Sequence, residues 1–566
     1  MKRATKILTL AAIVLGLAVT IALPAIAASK PPSCKDIVTG ALSSAGYTPT
    51  LLAARTPGAT EPSINATVDR ECKSGKTPPR VAALTLRNAA YDAGTVGGFL
   101  RTSFGLGAVP AAQTLKDVGY TAPEIAAGLG SAFGSTPLEA TQVLRAIGFT
   151  TNEIAVALTQ SFGLTLPQMA GTLRTAGVPV LEIGTALKDV FGQTGQQSSD
   201  VLKTASFVAN EVASVLKTVY GTAAAVTAEI LKTTGYAVTE ITGALQVVHA
   251  ATAEVVVGIL RGLGYTATEV ATGVKVAYMI AGEVAAGLLR NAGYVANEVA
   301  GAMLDAYQFI ASQAASALKL AGYAAVQIGG ALKTVYNAVA DEAAGILKEI
   351  GFGAIDTADV LVQQYGLAAV PVALVLNTIG YGAQAIAFAL KTSLGLAADA
   401  AAAAMNAAGF GLTVLADAVT VAYSLISSGL AQALKFANFT ATQVAEAVKV
   451  VFNVAGDVAA GALKVAGFTV TQVAEAIGIV YSLGAEAVAG ILRTAGYAIG
   501  EVAQALDEVF HVTADAAAQL LKDLGYAADQ IADVLGSVWG ATEDAIEDIL
   551  EGVGFALCEF LPIPCP

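Results

Sequence analysis

The chain has 566 residues, 55% hydrophobic and 13% charged, with 44 acidic against 31 basic side chains and a net charge of −13. The acidic excess excludes the clustered Lys and Arg that phosphate neutralisation requires, so nucleic acid is not an expected partner. The apolar content does not imply membrane spans either, because most apolar stretches are broken by Lys, Arg, Glu or Gly before the ~18–20 residues a spanning helix needs.

In chain order, Lys2, Arg3 and Lys6 precede an apolar run from Ile7 to Ile21, and Ala25-Ile26-Ala27 follows. This is the layout of a signal peptide over residues 1–27, cut after Ala27, and implies a bacterial-type exported protein, secreted, periplasmic or at the cell surface. Cleavage would leave 28 basic and 44 acidic side chains, a net charge of −16. The four cysteines lie at the edges: Cys34 and Cys72 in an expected N-terminal cap (28–85), Cys558 and Cys565 in an expected C-terminal cap (554–566). An even set in an oxidising compartment reads as disulfides. Of the three possible connectivities, the local pairs Cys34–Cys72 and Cys558–Cys565 are expected, because the two ends of a long array lie far apart. No histidine neighbours either pair, so no metal and no cofactor is expected.

Residues 86–553 repeat. Gly119, Gly148 and Gly177 are followed at the same step by Ser206, by Gly235 through Gly409, by Asn438, and by Gly467 through Gly554. Ala90 extends the series backward, and the 464 residues from Ala90 to Gly554 are sixteen steps of 29 without insertion or deletion. A second column, from Phe104 through Tyr220, His249, Tyr278 and Leu394 to Trp539, keeps the same step. Within one unit Ile241, Ala244, Leu245 and Val248 fall at helical spacing, as do Ala485, Val488, Ala489 and Leu492, so each unit holds two helices of about three turns. A period of this length predicts an all-α fold, an α-solenoid (superhelix) of about sixteen 29-residue helix-turn-helix repeats with disulfide-stapled terminal caps, each hairpin burying its apolar face against the next.

The recurring glycine lies just past a helix, where the chain turns through a left-handed conformation that glycine adopts freely. Thr121 with Glu124, Thr150 with Glu153 and Thr266 with Glu269 form capping boxes that start the next helix. Pro137 and Pro167 sit where second helices begin and a missing N–H costs nothing. A cation precedes most of the glycines by three residues, as in Lys232, Arg261, Arg290, Lys319, Lys464, Arg493 and Lys522. Its plain reading is compensation of a helix C-terminus; its functional reading is a ladder that tracks an acidic polymer. Gly171, Gly258, Gly287, Gly345, Gly461 and Gly490 fall inside second helices, where each costs about 1 kcal/mol; close approach of neighbouring helices is the expected compensation.

Periodicity fails in one place. Between residues 351 and 435 the cation column becomes Asn377 and Asn406, the Glu column becomes Ala385 and Val414, and the aromatic column lapses to Leu394. Val360 to Leu390 carries no charge. These five residues mark a candidate apolar band for a partner or lipid-like ligand.

The phrase L-x-x-x-G-[FY]-x-x-x-E, as in Leu521 to Tyr526, resembles the helical-hairpin repeats of mitochondrial transcription terminators over this short capping pattern alone, and the acidic charge and export signal contradict nucleic-acid binding. No nucleophile elbow, phosphate loop, zinc helix or calcium loop occurs. His249 and His511 fall in or beside the aromatic column, and the carboxylates recur with the repeat as scaffold positions. The expectation is a non-enzymatic scaffold that binds another protein or an envelope polymer through its solenoid surface. The alternative is a carrier of a hydrophobic ligand in the superhelical groove or in the band 351–435.

Overall fold

The computed structural model describes residues 31–556, in which every regular element is an α-helix. The expected signal peptide and the expected Cys558–Cys565 bridge lie outside the described residues. The helices form two compact units that divide between Gly221 and Thr222, and within each the hairpins stack as an α-solenoid.

One hairpin of the first unit shows how the sequence sets the fold. Thr150 N donates to Glu153 Oε2 at 2.8 Å, and Glu153 N donates to Thr150 Oγ1 at 3.3 Å, so the box satisfies two otherwise orphaned donors and starts the helix Thr151–Phe162. Ile154, Ala155, Ala157 and Leu158 are its buried stripe. The second helix, Leu166–Thr175, ends where Gly177 N donates to Arg174 O and Val178 N to Leu173 O, with Gly177 at φ +75°. This pair of bonds is a Schellman closure. Ala90, Ser206 and Asn438 hold the same left-handed turn at φ +56°, +67° and +65°.

The N-terminal segment is more regular than a cap. Helix Cys34–Ser44 ends at Gly46-Tyr47 with the same closure, Tyr47 N donating to Leu42 O at 2.8 Å. A short helix Pro49–Arg55 follows, then an additional helix Glu61–Lys73, then Pro78–Asn88. Inserting that additional helix pushes Gly46 out of the 29-residue register. The boundary expected between residues 85 and 86 therefore falls inside a helix. Cys34 and Cys72 are disulfide-bonded, tying the first turn of Cys34–Ser44 to the last turn of the inserted helix.

In the second unit Leu245, Val274, Met303, Leu332, Leu361, Leu390, Val419 and Val448 recur as fully or almost fully buried core residues, one per first helix. First helices of successive hairpins pack through small residues. Ala300 and Ala331, like Ala387 and Ala418, are buried at positions 31 residues apart. At several seams where one partner is larger, the other is glycine. A Cβ on Gly329 would collide with Val360, and a Cβ on Gly273 would lie 2.5 Å from Thr242 Oγ1. In the first unit the same offset sets Gly184 against Val215, and a Cβ on Gly128 would lie 2.9 Å from the backbone of Ala93.

This corrects the expectation for glycines of the second helices. Nothing lies within 4 Å of a Cβ built on Gly171, Gly258, Gly287, Gly345 or Gly461, and on Gly490 it would meet only Leu524 at 3.5 Å. Close approach occurs at other glycines, between first helices and, at the starts of second helices, at Gly282 and Gly456, whose Cβ would lie 2.5 Å from Phe309 and 2.8 Å from Ile491.

Candidate functional site

The repeat's polar side chains mostly hold one hairpin to the next. Lys232 donates to Leu263 O, Lys319 to Ile350 O, Lys464 to Ala495 O and Gly496 O, and Lys522 to Val553 O. Each acceptor lies in the closing turn of the following hairpin, 31 or 32 residues on. The same cations sit over the next aromatic ring: Lys232 4.7 Å from the centroid of Tyr265, Lys464 4.4 Å from Tyr497 and Lys522 4.8 Å from Phe555. Arg261 lies 4.2 Å from the Tyr294 centroid, Arg290 5.4 Å from Tyr323 and Arg493 5.2 Å from Tyr526. Each cation thus serves the C-terminus of its neighbour's helix rather than of its own.

A second cation column escaped the sequence reading. Lys275, Lys391 and Lys449, near the ends of first helices, donate to Ala306 O, Ala422 O and Val480 O at 2.6 to 2.8 Å, and Lys333 does the same to Gln364 O. These four are spaced by 58 residues, with uncharged Leu304, Val362 and Thr420 between them breaking the column, while Lys188 in the first unit holds the same position and donates to Val219 O at 2.6 Å.

Aromatic residues stitch in the opposite direction. Tyr278, Tyr365, Tyr423 and Tyr481 donate their hydroxyls to carbonyls 27 residues back, Ala251, Ala338, Leu396 and Val454, at 2.6 to 2.9 Å. Trp539 Nε1 donates to Val512 O at 3.0 Å in the same position. Burial pushes the hydroxyls of Tyr307, Tyr336 and Tyr423 up to about 12, with Glu283, Asp305 and Asp399 acting in the same direction. His249 sits in this column with Nε2 3.0 Å from Thr227 Oγ1. His511 occupies a left-handed turn at φ +49°.

That turn belongs to a third column, also missed. It closes first helices and holds Gly105, Gly134 and Gly163 early in the chain, but Ala250, Met279 and Gln308 later, all at positive φ. The signal was present at the 29-residue step, but the changing residue types concealed it.

The five residues of the central band do not form one site. Asn406 Nδ2 donates to Ala437 O at 2.9 Å, the carbonyl a cation would take there, so this residue continues the stitch over a shorter reach. Leu394 lacks a hydroxyl and packs against the core of its unit, as does Ala385. Asn377 is half-buried near the end of the helix Ala369–Thr378. Val414 is exposed, on the helix Leu412–Tyr423. Around it the neighbouring first helices Ala354–Gln363 and Ala383–Leu394 expose Ile355 and Phe388.

Clefts recur between successive closing turns. Arg261, Tyr265, Thr266, Tyr294, Asn297 and Glu298 line one of about 500 Å³. Six repeats on, Lys435, Phe439, Thr440, Phe468, Gln472 and Glu475 are among the residues lining one of about 390 Å³. Their linings are mixed, with charged, hydroxyl and amide groups beside the rings. Among the described residues, no helix is long and apolar enough to cross a membrane. No protein-family model matches the chain, and no curated protein matches its sequence.

Proposed function

We propose that the protein is an exported, non-enzymatic scaffold that binds another macromolecule, a protein or an envelope polymer, through the faces of its solenoid units. One observation carries this reading. The repeated cations, tyrosines and capping carboxylates direct their polar atoms at backbone within or next to their own hairpin, whereas aliphatic side chains stand in water. Met279 is 87% exposed, and Val247, Val276, Ile310, Val339 and Ile426 are exposed with it in the second unit. Such surfaces on a repeat array suit macromolecular partners.

The test has two parts. N-terminal sequencing of protein recovered from the medium and envelope should find a chain starting at Ala28; a chain retaining Met1 in the cytoplasm would reject export. Crosslinking in the native envelope, followed by mass spectrometry, should then give crosslinks from the solenoid faces to one recurring macromolecule. Stoichiometric co-extracting lipid with no crosslinked partner would instead favour the hydrophobic-ligand carrier.

A further inference from the structure

The acidic residues of the first helices change place along the chain. Between Glu124 and Glu298 the repeated carboxylate sits in the first helical turn and, except at Glu182 behind Pro179, accepts the N–H of the capping residue, as Glu240 and Glu298 do at 2.8 and 2.9 Å. Later in the second unit that position becomes Ala385, Val414, Gln443 and Gln472; an acid stands three residues beyond the last three of these, at Asp417, Glu446 and Glu475, and three residues beyond Asp356, at Asp359. There it caps nothing, and the helix dipole is no longer felt beyond the first turn. Among the described residues no hydrogen bond or ion pair engages Asp359, Glu446 or Glu475, and Asp417 accepts only from Gln384 Nε2, at 2.9 Å.

Asp359 and Asp417 flank a run of exposed large apolar groups on three successive first helices, Ala354–Gln363, Ala383–Leu394 and Leu412–Tyr423. Ile355 is 38% exposed, Phe388 38%, Val414 54% and Val421 45%. The Gln384–Asp417 bond shows that residues 33 apart touch across neighbouring first helices. Ile355 and Phe388 have that offset, so they adjoin. Asp359 shares the helix Ala354–Gln363 with Ile355, one turn on, and Asp417 is on Leu412–Tyr423, the next first helix after that of Phe388, one turn before Val421. The nearby Lys391 directs its ammonium at Ala422 O.

We propose that this patch, centred on Phe388, docks a basic amphipathic segment of a partner protein, with its aliphatic face on Ile355, Phe388 and Val421 and its Lys or Arg flanks on Asp359 and Asp417. The proposal rests on the scaffold reading and specifies its partner. Charge decides among occupants. A second copy would bring the same carboxylates and the same net charge of −13 to the interface. An anionic lipid surface would be repelled by the same rim. A helix with an apolar stripe and cationic edges satisfies both features.

The test uses the full-length protein and an 18-residue fluorescent peptide of Leu and Lys in helical register, read by anisotropy. A control peptide carries Glu in place of Lys, and phosphatidylglycerol vesicles serve as a second probe. The Lys peptide should bind, with affinity falling between 50 and 300 mM salt. Phe388→Ser and Val421→Ser should each weaken it by roughly tenfold, as expected for an apolar anchor. Asp359→Asn with Asp417→Asn should weaken it and flatten the salt dependence. Phe436→Ser, on an exposed second-helix position, should change nothing. Equal binding by wild type and both serine variants, or preference for the Glu peptide or the vesicles, overturns the proposal. If the envelope partner still crosslinks to Phe388→Ser at the wild-type level, the patch is wrong while the scaffold reading stands. If wild type crosslinks to no partner, the scaffold reading itself fails.

Discussion

Gly184 and Val215 occupy a space that neighbouring hairpins fill with two alanines: a Cβ on Gly184 would collide with the valine side chain. The two residues lie on successive first helices, 31 positions apart. Gly184→Ala should therefore destabilise this seam, since overpacking costs roughly 1–3 kcal/mol and outweighs the ~1 kcal/mol gained in helix propensity. Val215→Ala alone should leave a void costing about 1.5–3 kcal/mol. The double substitution recreates the alanine pair of the other seams and should recover most of the loss. Local hydrogen exchange of helices Val180–Asp189 and Ala209–Thr218 measures this coupling, and additive effects would refute the shared space.

Second-helix glycines should behave in the opposite way. A Cβ at Gly258, Gly287 or Gly461 meets open space. Each Gly→Ala substitution should stabilise its hairpin by about 0.5–1 kcal/mol through helix propensity and the unfolded chain. Slower exchange of the local helix amides is the expected readout; destabilisation would mean the glycines are packed against something.

Loss of a cation should be felt one hairpin away. Lys464 donates to Ala495 O and Gly496 O and covers the Tyr497 ring. Lys464→Gln should loosen the turn at Gly496 by roughly 1–2 kcal/mol, more than the turn at Gly467 beside it in sequence. Exchange rates of the Gly496 and Tyr497 amides, compared with those of Gly467 and Phe468, decide this. If the ladder instead tracks a polyanion, Lys464→Gln with Arg493→Gln should lower polyanion affinity at low salt with little change in exchange.

Alkali should open the tyrosine stitches together. The folded-state values of Tyr307, Tyr336 and Tyr423, about 12, lie above the ordinary value of 10, because burial disfavours the phenolate. The folded chain holds these protons more tightly than the unfolded one. Their contribution is complete below pH 10 and is lost as pH rises through about 12. Circular dichroism and phenolate absorbance at 295 nm should change together in that window. Ionisation of these tyrosines with a midpoint near pH 10, ahead of any loss of helix, would contradict the burial.

Much of the fold was legible because the sequence repeats its local instructions. Thr150 and Glu153 start a helix, Gly177 ends one, and sixteen steps of 29 require each apolar stripe to meet its copy. These decisions need only neighbouring residues and a period. The proposed patch was half legible: the lapse of charge at Ala385 and Val414 marked two of the helices that carry it, but Phe388, Ile355 and Asp359 sit at positions that gain meaning only when first helices lie side by side. Asn406 looked like a lost cation until the structure placed its amide on Ala437 O. Hairpin order and length from residue 86 on, and the turns that close second helices, were thus determined by the sequence alone. Which glycines are crowded, which cation serves which turn, and which carboxylates are left facing water were decided by tertiary structure, because those outcomes depend on contacts 27 to 33 residues apart across a packed interface that no local pattern encodes.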